Sequence, residues 1–417
     1  MKAWLIPSGA RIEPFGCEVG EVPLGAGTLR AAQAAALAAA GATVEAPAAS
    51  PIGEDTPIPG PALVLRDDLW VTRRALRGFV RACVGRSAPA RLCLPRSRFL
   101  ELTLPLQDLP LASDGRAGFE LGFVPPGARA TPRELFALGP EAWVAPPGRE
   151  LPLAVPVPRH ILGTERAAME WPLTSTAALR VRHWLHVLRA GHFAPQVALL
   201  DRASASPLTT ALRCLPALRL TRDATLRALP RHLVFRGRGV VVHPTALVEA
   251  SVLGDGVVVG AHAIVRNSVL GDGCVVEQRA HVNGCALGPR TFVSLNSSLS
   301  ACVSFGDTDA CINGVQACVF GARCSLTSFA RPLDLAPGGP VKVDDGGVLR
   351  EVGELPCGAA FGPGVFLGAD VVIAAGRAIP AGLKLVGDPA RVLSRVPRDV
   401  APGWYAVSDG TLKPAGG

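Results

Sequence analysis

The chain reads as two units, an N-terminal α/β unit and a C-terminal parallel β-helix over residues 241–395. Three observations carry this. Leu253-Gly254, Leu270-Gly271 and Leu287-Gly288 recur at intervals of 17 residues. Between them, aliphatic residues open short units of five or six residues, each followed four places on by a small residue. Near the N-terminus, apolar runs of strand length alternate with Ala-rich segments of helix length, the pattern of a parallel sheet crossed by helices.

Taken in order, Met1–Pro7 reads as a strand running into the turn Ser8-Gly9-Ala10-Arg11. Thr28–Gly41 reads as a helix stopped by Gly41. Ala62–Leu65 is a second strand, ending in Arg66-Asp67-Asp68, and Thr72–Val84 a second helix. Residues 170–200 carry Trp171, Arg182, His183, Trp184, His186, Arg189 and His192 and read as an amphipathic helix bridging to the repeats. His183 and His186 share a face, and with no acidic or Cys neighbour their expected role is packing, not metal binding. The resulting division is 1–200 for the α/β unit, 201–240 for a linker, 241–395 for the β-helix and 396–417 for a tail.

The repeat is the firmest signal. Its opening residues are Val242, Val248, Leu253, Val259, Val265, Leu270, Val276, Val282, Leu287, Val293, Leu299 and Phe305. Three units make one coil. The small positions are Ala246, Ala263 and Ala280, with Val252, Val269 and Ala286 in the equivalent place. Both sets are expected to point inward, the aliphatic filling the prism and the small residue its corner. Coils then stack as parallel strands about 4.8 Å apart. The period resumes at Leu355, Phe361, Leu367, Ile373, Ile379 and Leu385, all six apart. The stretch 326–354, rich in Pro, Gly and Asp, is expected to leave the prism as a loop or short hairpin.

The composition narrows the function classes. The chain has 417 residues, 49% hydrophobic and 18% charged, which is globular rather than disordered. The net charge of +8 comes almost wholly from arginine, since only Lys2, Lys342, Lys384 and Lys413 are lysines. No basic cluster interleaved with aromatics is present, so nucleic-acid binding is not expected. An anionic substrate fits the charge. The 11 cysteines form no C-x-x-C pair. Those of the repeats (Cys274, Cys285, Cys302, Cys311, Cys318, Cys324) read as small reduced hydrophobes of a cytoplasmic protein. No apolar run is long enough to span a bilayer.

On the prism, His243, His262 and His281 are spaced 19 apart and are expected to climb one face diagonally. Neighbours roughly 8 Å apart leave three imidazoles too spread to share a zinc ion. His262, Arg279 and Asn296 are 17 apart and should stack, with His281 and Ser298 as the adjoining column. A His base beside Arg and Asn suits transfer of an acyl group to an amine or hydroxyl.

Several phrases resemble known families. Ile379-Pro380-Ala381-Gly382 and Gly387-Asp388-Pro389-Ala390 resemble the terminal coil of hexapeptide-repeat acyltransferases. That resemblance implies a left-handed, trimeric β-helix and an acyl-CoA co-substrate. Ala280-His281-Val282-Asn283-Gly284-Cys285 is similar to the catalytic phrase of UDP-sugar acyltransferases, with Asn283-Gly284 where that phrase has a second His and an Asp. Gly9, Arg11, Pro14, Pro23, Leu24, Gly41 and Asp68 fall in places matching sugar-1-phosphate nucleotidyltransferases, with a shortened loop. This implies a reduced, degenerate nucleotidyltransferase-like domain in which Gly9 and Arg11 bind substrate and Asp68 holds Mg²⁺. Val341-Lys342-Val343, Phe361-Gly362-Pro363-Gly364, Leu367-Gly368 and Gly376 resemble archaeal-type glucosamine-1-phosphate acetyltransferase/uridylyltransferases. The expected function is therefore a transferase acting on a sugar phosphate or sugar nucleotide. Acyl transfer is preferred, with His281 and His262 catalytic and Arg279, Asn296 and Ser298 binding substrate. Nucleotidyl transfer and a non-catalytic scaffold or sensor are the alternatives.

Overall fold

A computed structural model describes residues 1–25, 27–45, 52–156, 168–218, 229–310 and 314–415. Cys311 lies outside them. Six strands form the N-terminal sheet: β1 (Lys2–Ile6), β2 (Thr43–Val44), β3 (Ala62–Arg66), β4 (Ala90–Leu94), β5 (Ala117–Val124) and β6 (Trp143–Val144), in the order β6-β4-β5-β3-β1-β2. Helices α1 (Leu29–Ala39) and α2 (Arg73–Cys83) are the expected ones, and Thr28 and Thr72 cap them by accepting from the Ala31 and Ala75 amides. The sheet is mixed, not parallel as expected. β1 runs parallel to β2 and β3, and β4 to β6, but β5 is antiparallel to both β3 and β4. The connection from β4 to β5 carries only the short helix Arg98–Thr103, too little to cross back over the sheet and restore the parallel sense.

The stretch expected as one helix from 170 is two strands and a helix. Ala168–Leu173 pairs antiparallel with Leu151–Pro156, and Ala178–Arg180 with Leu69–Val71. The bridging helix itself is Trp184–Ala205. His183 caps it, its Nδ1 accepting from the Leu185 amide, while His186 Nδ1 accepts from the amides of Arg182 and His183 and its Nε2 meets the Pro105 carbonyl at 3.0 Å. Both histidines thus serve the helix start, His183 as its cap and His186 buried in its first turn.

The C-terminal unit is a prism of parallel strands, and no helix of the described residues is long and apolar enough to cross a membrane. Its first face has eight strands, from Val234–Arg236 to Ala378–Ile379, and its second has eight, from Val241–Val242 to Lys384–Leu385. Its third has five, from Leu247–Glu249 to Gly314–Gln316, and the pair Arg331–Pro332 with Val372–Ile373 continues the stack. Val265, Val282, Leu299, Leu270, Leu287, Val276 and Val293 fill the interior with almost no exposure, and Ala263 and Ala280 sit buried beside them.

Four details differ from the sequence reading. First, the prism starts at Val234, which pairs with Ser251. Second, Val252, Val269 and Ala286 are not interior; they occupy the outer side of the first face, which the bridging helix covers. Third, Phe305 is not in the ladder. Ser304 pairs with Leu287 and Phe320, and Phe305 turns out to meet Phe15 in a tilted ring contact, with centroids 4.5 Å apart. Fourth, Leu326 and Pro332 still belong to the prism, while Leu355 joins the core shared with the N-terminal unit. The interruption does contain the expected hairpin, Lys342–Asp345 with Val348–Glu351.

The helix-covered face makes the two units continuous. One buried cluster runs from Ala3, Leu63 and Phe119 through Leu185 and Phe193 to Val303, Val319, Val343, Leu355 and Ala360. Within the prism, Ser251, Ser268, Cys285, Cys302 and Cys318 repeat along one corner. The Ser268 amide donates to Ser251 Oγ, Cys285 to Ser268 Oγ, and Cys302 to Cys285 Sγ at 3.4 Å. The ten described cysteines are all free.

Candidate functional site

In an open sheet, ligands are received where neighbouring strands send their connections in opposite directions. Here β1 continues through α1 to β2 on one side, and β3 through α2 to β4 on the other. The C-terminal ends of β1 and β3 therefore flank a crevice, and they carry Ser8-Gly9 and Arg66-Asp67-Asp68. Gly9 adopts φ +68°, and the Ser8 amide donates to Asp67 Oδ1 at 2.8 Å. From α1, Gln33 Nε2 donates to the carbonyls of Arg66, Asp67 and Leu69 at 3.2, 3.0 and 2.9 Å. The helix thereby fixes the turn after β3.

Alternating charges fill this crevice. Arg66 pairs with both Glu54 and Glu120, and Arg180 with both Glu120 and Asp68. Arg180 Nε donates to Asp68 Oδ2 at 2.8 Å. Burial pushes the Asp68 carboxyl above the usual carboxylate range, against the pull of Arg180. A cavity of about 440 Å³ opens beside Arg66, lined also by Glu54, Arg133 and Phe136. The sequence reading singled out Gly9 and Asp68 here but not Glu120 and Arg180. Those two come from β5 and the strand before the bridging helix, and no local motif marks them.

Asp68 is the position expected to hold Mg²⁺. Magnesium needs open, hard oxygen ligands. Asp68 Oδ2 belongs to Arg180, Oδ1 is buried without a partner among the described residues, and the side chain is 2% exposed. Among the described residues no group of three or more His, Cys, Asp or Glu could hold a metal ion. The residues present do not fit Mg²⁺ at this position. Arg11 lies apart from the crevice floor, its guanidinium donating to the Gly16 carbonyl.

The second candidate lies on the prism. His262, Arg279 and Asn296 do stack at one corner. Each takes a left-handed backbone, with φ of 60°, 57° and 55°, and each is exposed. The His262 amide donates to Thr245 Oγ1 and the Arg279 amide to the Ala261 carbonyl one coil below. His281 and Ser298 form the adjoining column in register on the third face, with Ile264 beneath. The three histidines do not share a face, contrary to expectation. His243 ends the second face and bonds Thr245 Oγ1, His262 occupies the corner, and His281 opens a strand of the third face. The 19-residue spacing exceeds one coil by two residues, enough to carry each histidine around a corner.

His281 stands apart chemically. Its Nε2 is out of solvent and has no hydrogen-bond partner among the described residues. Burial, then the Arg266 charge, hold its pKa below the ordinary histidine value, so the ring is neutral near pH 7. A buried polar atom without a partner costs about 1–3 kcal/mol.

No protein-family model matches this chain, and no curated protein matches it.

Proposed function

We propose that the protein is a transferase acting on a phosphorylated or nucleotide-linked sugar, with acyl transfer from an acyl-CoA on the third face of the prism as its reaction. The unpartnered, neutral imidazole of His281 carries this reading. A neutral histidine next to Ser298, with exposed Arg279 and Asn296 at the neighbouring corner, provides a proton acceptor for an amine or hydroxyl and donors for an anionic or carbonyl group. Assembly as a left-handed homotrimer belongs to the same proposal. It is supported by apolar side chains on the prism's outer surface that one copy leaves in water: Val241, Leu295 and Phe329 are 59%, 44% and 61% exposed.

The chemistry assigns roles without a metal. His281 takes the acceptor's proton as the acyl carbon is attacked, and returns it to the departing thiolate. Arg279 and Asn296 hold the acceptor. The charge network of the N-terminal crevice favours a binding role there: its carboxylates are neutralised by arginines, not left for a cation.

Acetyl-CoA offered with a panel of sugar phosphates and nucleotide sugars tests the reading. Thiol release is expected, and His281→Ala is expected to lower kcat by about 10²–10⁴-fold, the usual weight of a general base, in a protein whose cooperative melting transition shows it still folded. Full activity in His281→Ala would remove the assigned base. No thiol release and no thermal shift across the panel would remove acyl transfer itself.

A further inference from the structure

A cavity of about 550 Å³ opens at the seam between the two units. Four segments distant in sequence meet there. Arg11 and Glu13 come from the hairpin after β1. Arg182 and His183 come from the start of the bridging helix, Asp344 and Gly346 from the inserted hairpin, and Gly376–Ala378 from the last coils of the prism. The site is four coils from His281, on the order of 19 Å at ~4.8 Å per coil.

Sorting the charges shows which are available. Arg182 Nη1 donates to Asp108 Oδ2 at 2.6 Å. Asp344 Oδ1 accepts from the Gly347 amide at 2.6 Å, which turns it into the hairpin tip. His183 uses Nε2 on the Asp344 carbonyl and Nδ1 on the Leu185 amide, and burial lowers its pKa, so it brings no charge. Arg11 donates to the Gly16 carbonyl, and Arg377 Nη2 to the Lys342 carbonyl at 3.5 Å. Among the described residues neither of these guanidinium groups has a carboxylate partner. Arg11, Arg377 and Glu13 are all exposed.

We propose that this seam binds a small phosphorylated polyol, its phosphate held between Arg11 and Arg377 and one of its hydroxyls donating to Glu13. Two guanidinium groups bonded only to backbone carbonyls suit the paired oxygens of a phosphate. The carboxylate in the same cavity disfavours a bare dianion and rewards a ligand that brings hydroxyl donors. Because Arg11 belongs to the N-terminal unit and Arg377 to the prism, the ligand would bridge the two. The site stands independently of the chemistry assigned to His281.

Titration calorimetry of the full chain with glucose 1-phosphate, inorganic phosphate and glucose separates these terms. Saturable binding of glucose 1-phosphate is expected, weaker binding of phosphate and none of glucose. Arg11→Gln and Arg377→Gln should each weaken glucose 1-phosphate at least about tenfold, the weight of one charge-assisted hydrogen bond. Arg377→Lys, which keeps the charge but loses the fork, should fall between. Glu13→Gln should weaken glucose 1-phosphate and not phosphate. Arg238→Gln, on the first coil of the prism at the opposite end from the seam, should change neither. Unfolding midpoints without ligand check that each variant is folded. Absence of binding by the wild type, wild-type affinity in a folded Arg377→Gln, or equal loss in Arg238→Gln would each overturn the proposal.

Discussion

Replacing Gly191 by Ala puts two effects of opposite sign in competition. Gly191 sits inside the bridging helix, where Ala is intrinsically better by about 1 kcal/mol. By propensity alone the variant is more stable. The structure reverses the sign. A Cβ at Gly191 would fall on Val303 Cγ2, far inside van der Waals contact, with Val303 Cβ and Cγ1 at 3.4 and 3.7 Å. Val303 is fully buried and held in register between Ala286 and Val319 on the first face. Its β-branched side chain has few rotamers to retreat into, so the helix must lift from the prism. Overpacking of this kind costs about 1–3 kcal/mol. Gly191→Ala is therefore expected to be destabilising even after the propensity gain. In a Val303→Ala background the obstruction is gone, and the same change should become neutral or stabilising by up to about 1 kcal/mol. Urea unfolding followed by tryptophan fluorescence, run on the four proteins of this cycle, yields the coupling. A stabilising Gly191→Ala in the unmodified chain, or additive behaviour across the cycle, would refute the close approach of helix and prism.

Two further expectations concern stability. His186 and His192 are buried, and burial pushes both pKa values down to about 3 from 6.5. The native state thus binds fewer protons than the unfolded state between these limits, so stability is full above about pH 6.5 and lost as pH falls towards 3. At pH 5 each neutral histidine should cost on the order of 2 kcal/mol relative to pH 7; unfolding midpoints across pH 5–7.5 that stay flat would contradict this. Cys285→Ser keeps an acceptor for the Cys302 amide and should stay within about 1 kcal/mol of wild type. Cys285→Val orphans that amide and should cost about 1–3 kcal/mol, read from denaturation midpoints.

The prism was legible because its interior has one demand repeated: an inward aliphatic residue every coil. Ser304 broke that rule. Its hydroxyl is satisfied inside by the Gly288 amide and Thr291 Oγ1, and the neighbouring Phe305 looked the better fit to the period. Val252 and Val269 carry no sign in the sequence of facing outward, because a wall covered by a helix is as apolar as a wall facing inward. The antiparallel sense of β5 leaves no trace in alternation of strand and helix. Of the candidate sites, the stacking of His262, Arg279 and Asn296 followed from spacing alone. The Asp68–Arg180 pair and the seam cavity did not, since both join residues that only the tertiary fold brings together.

The prism's coils contain 17 residues from His281 to Ser298, 16 from Ser298 to Gly314 and 18 from Ala360 to Ala378. The strands stay in register throughout, so the corners absorb the difference. This gives the unit a kind of reading frame. A whole coil can be gained or lost without disturbing any column, and a segment of any length can enter at a corner, as the hairpin after Pro332 has done. An insertion within a strand, by contrast, would exchange inner and outer residues for the rest of that strand. Length variation in this protein should therefore come in two sizes, whole coils and corner loops, and the inserted hairpin that walls the seam is one such addition.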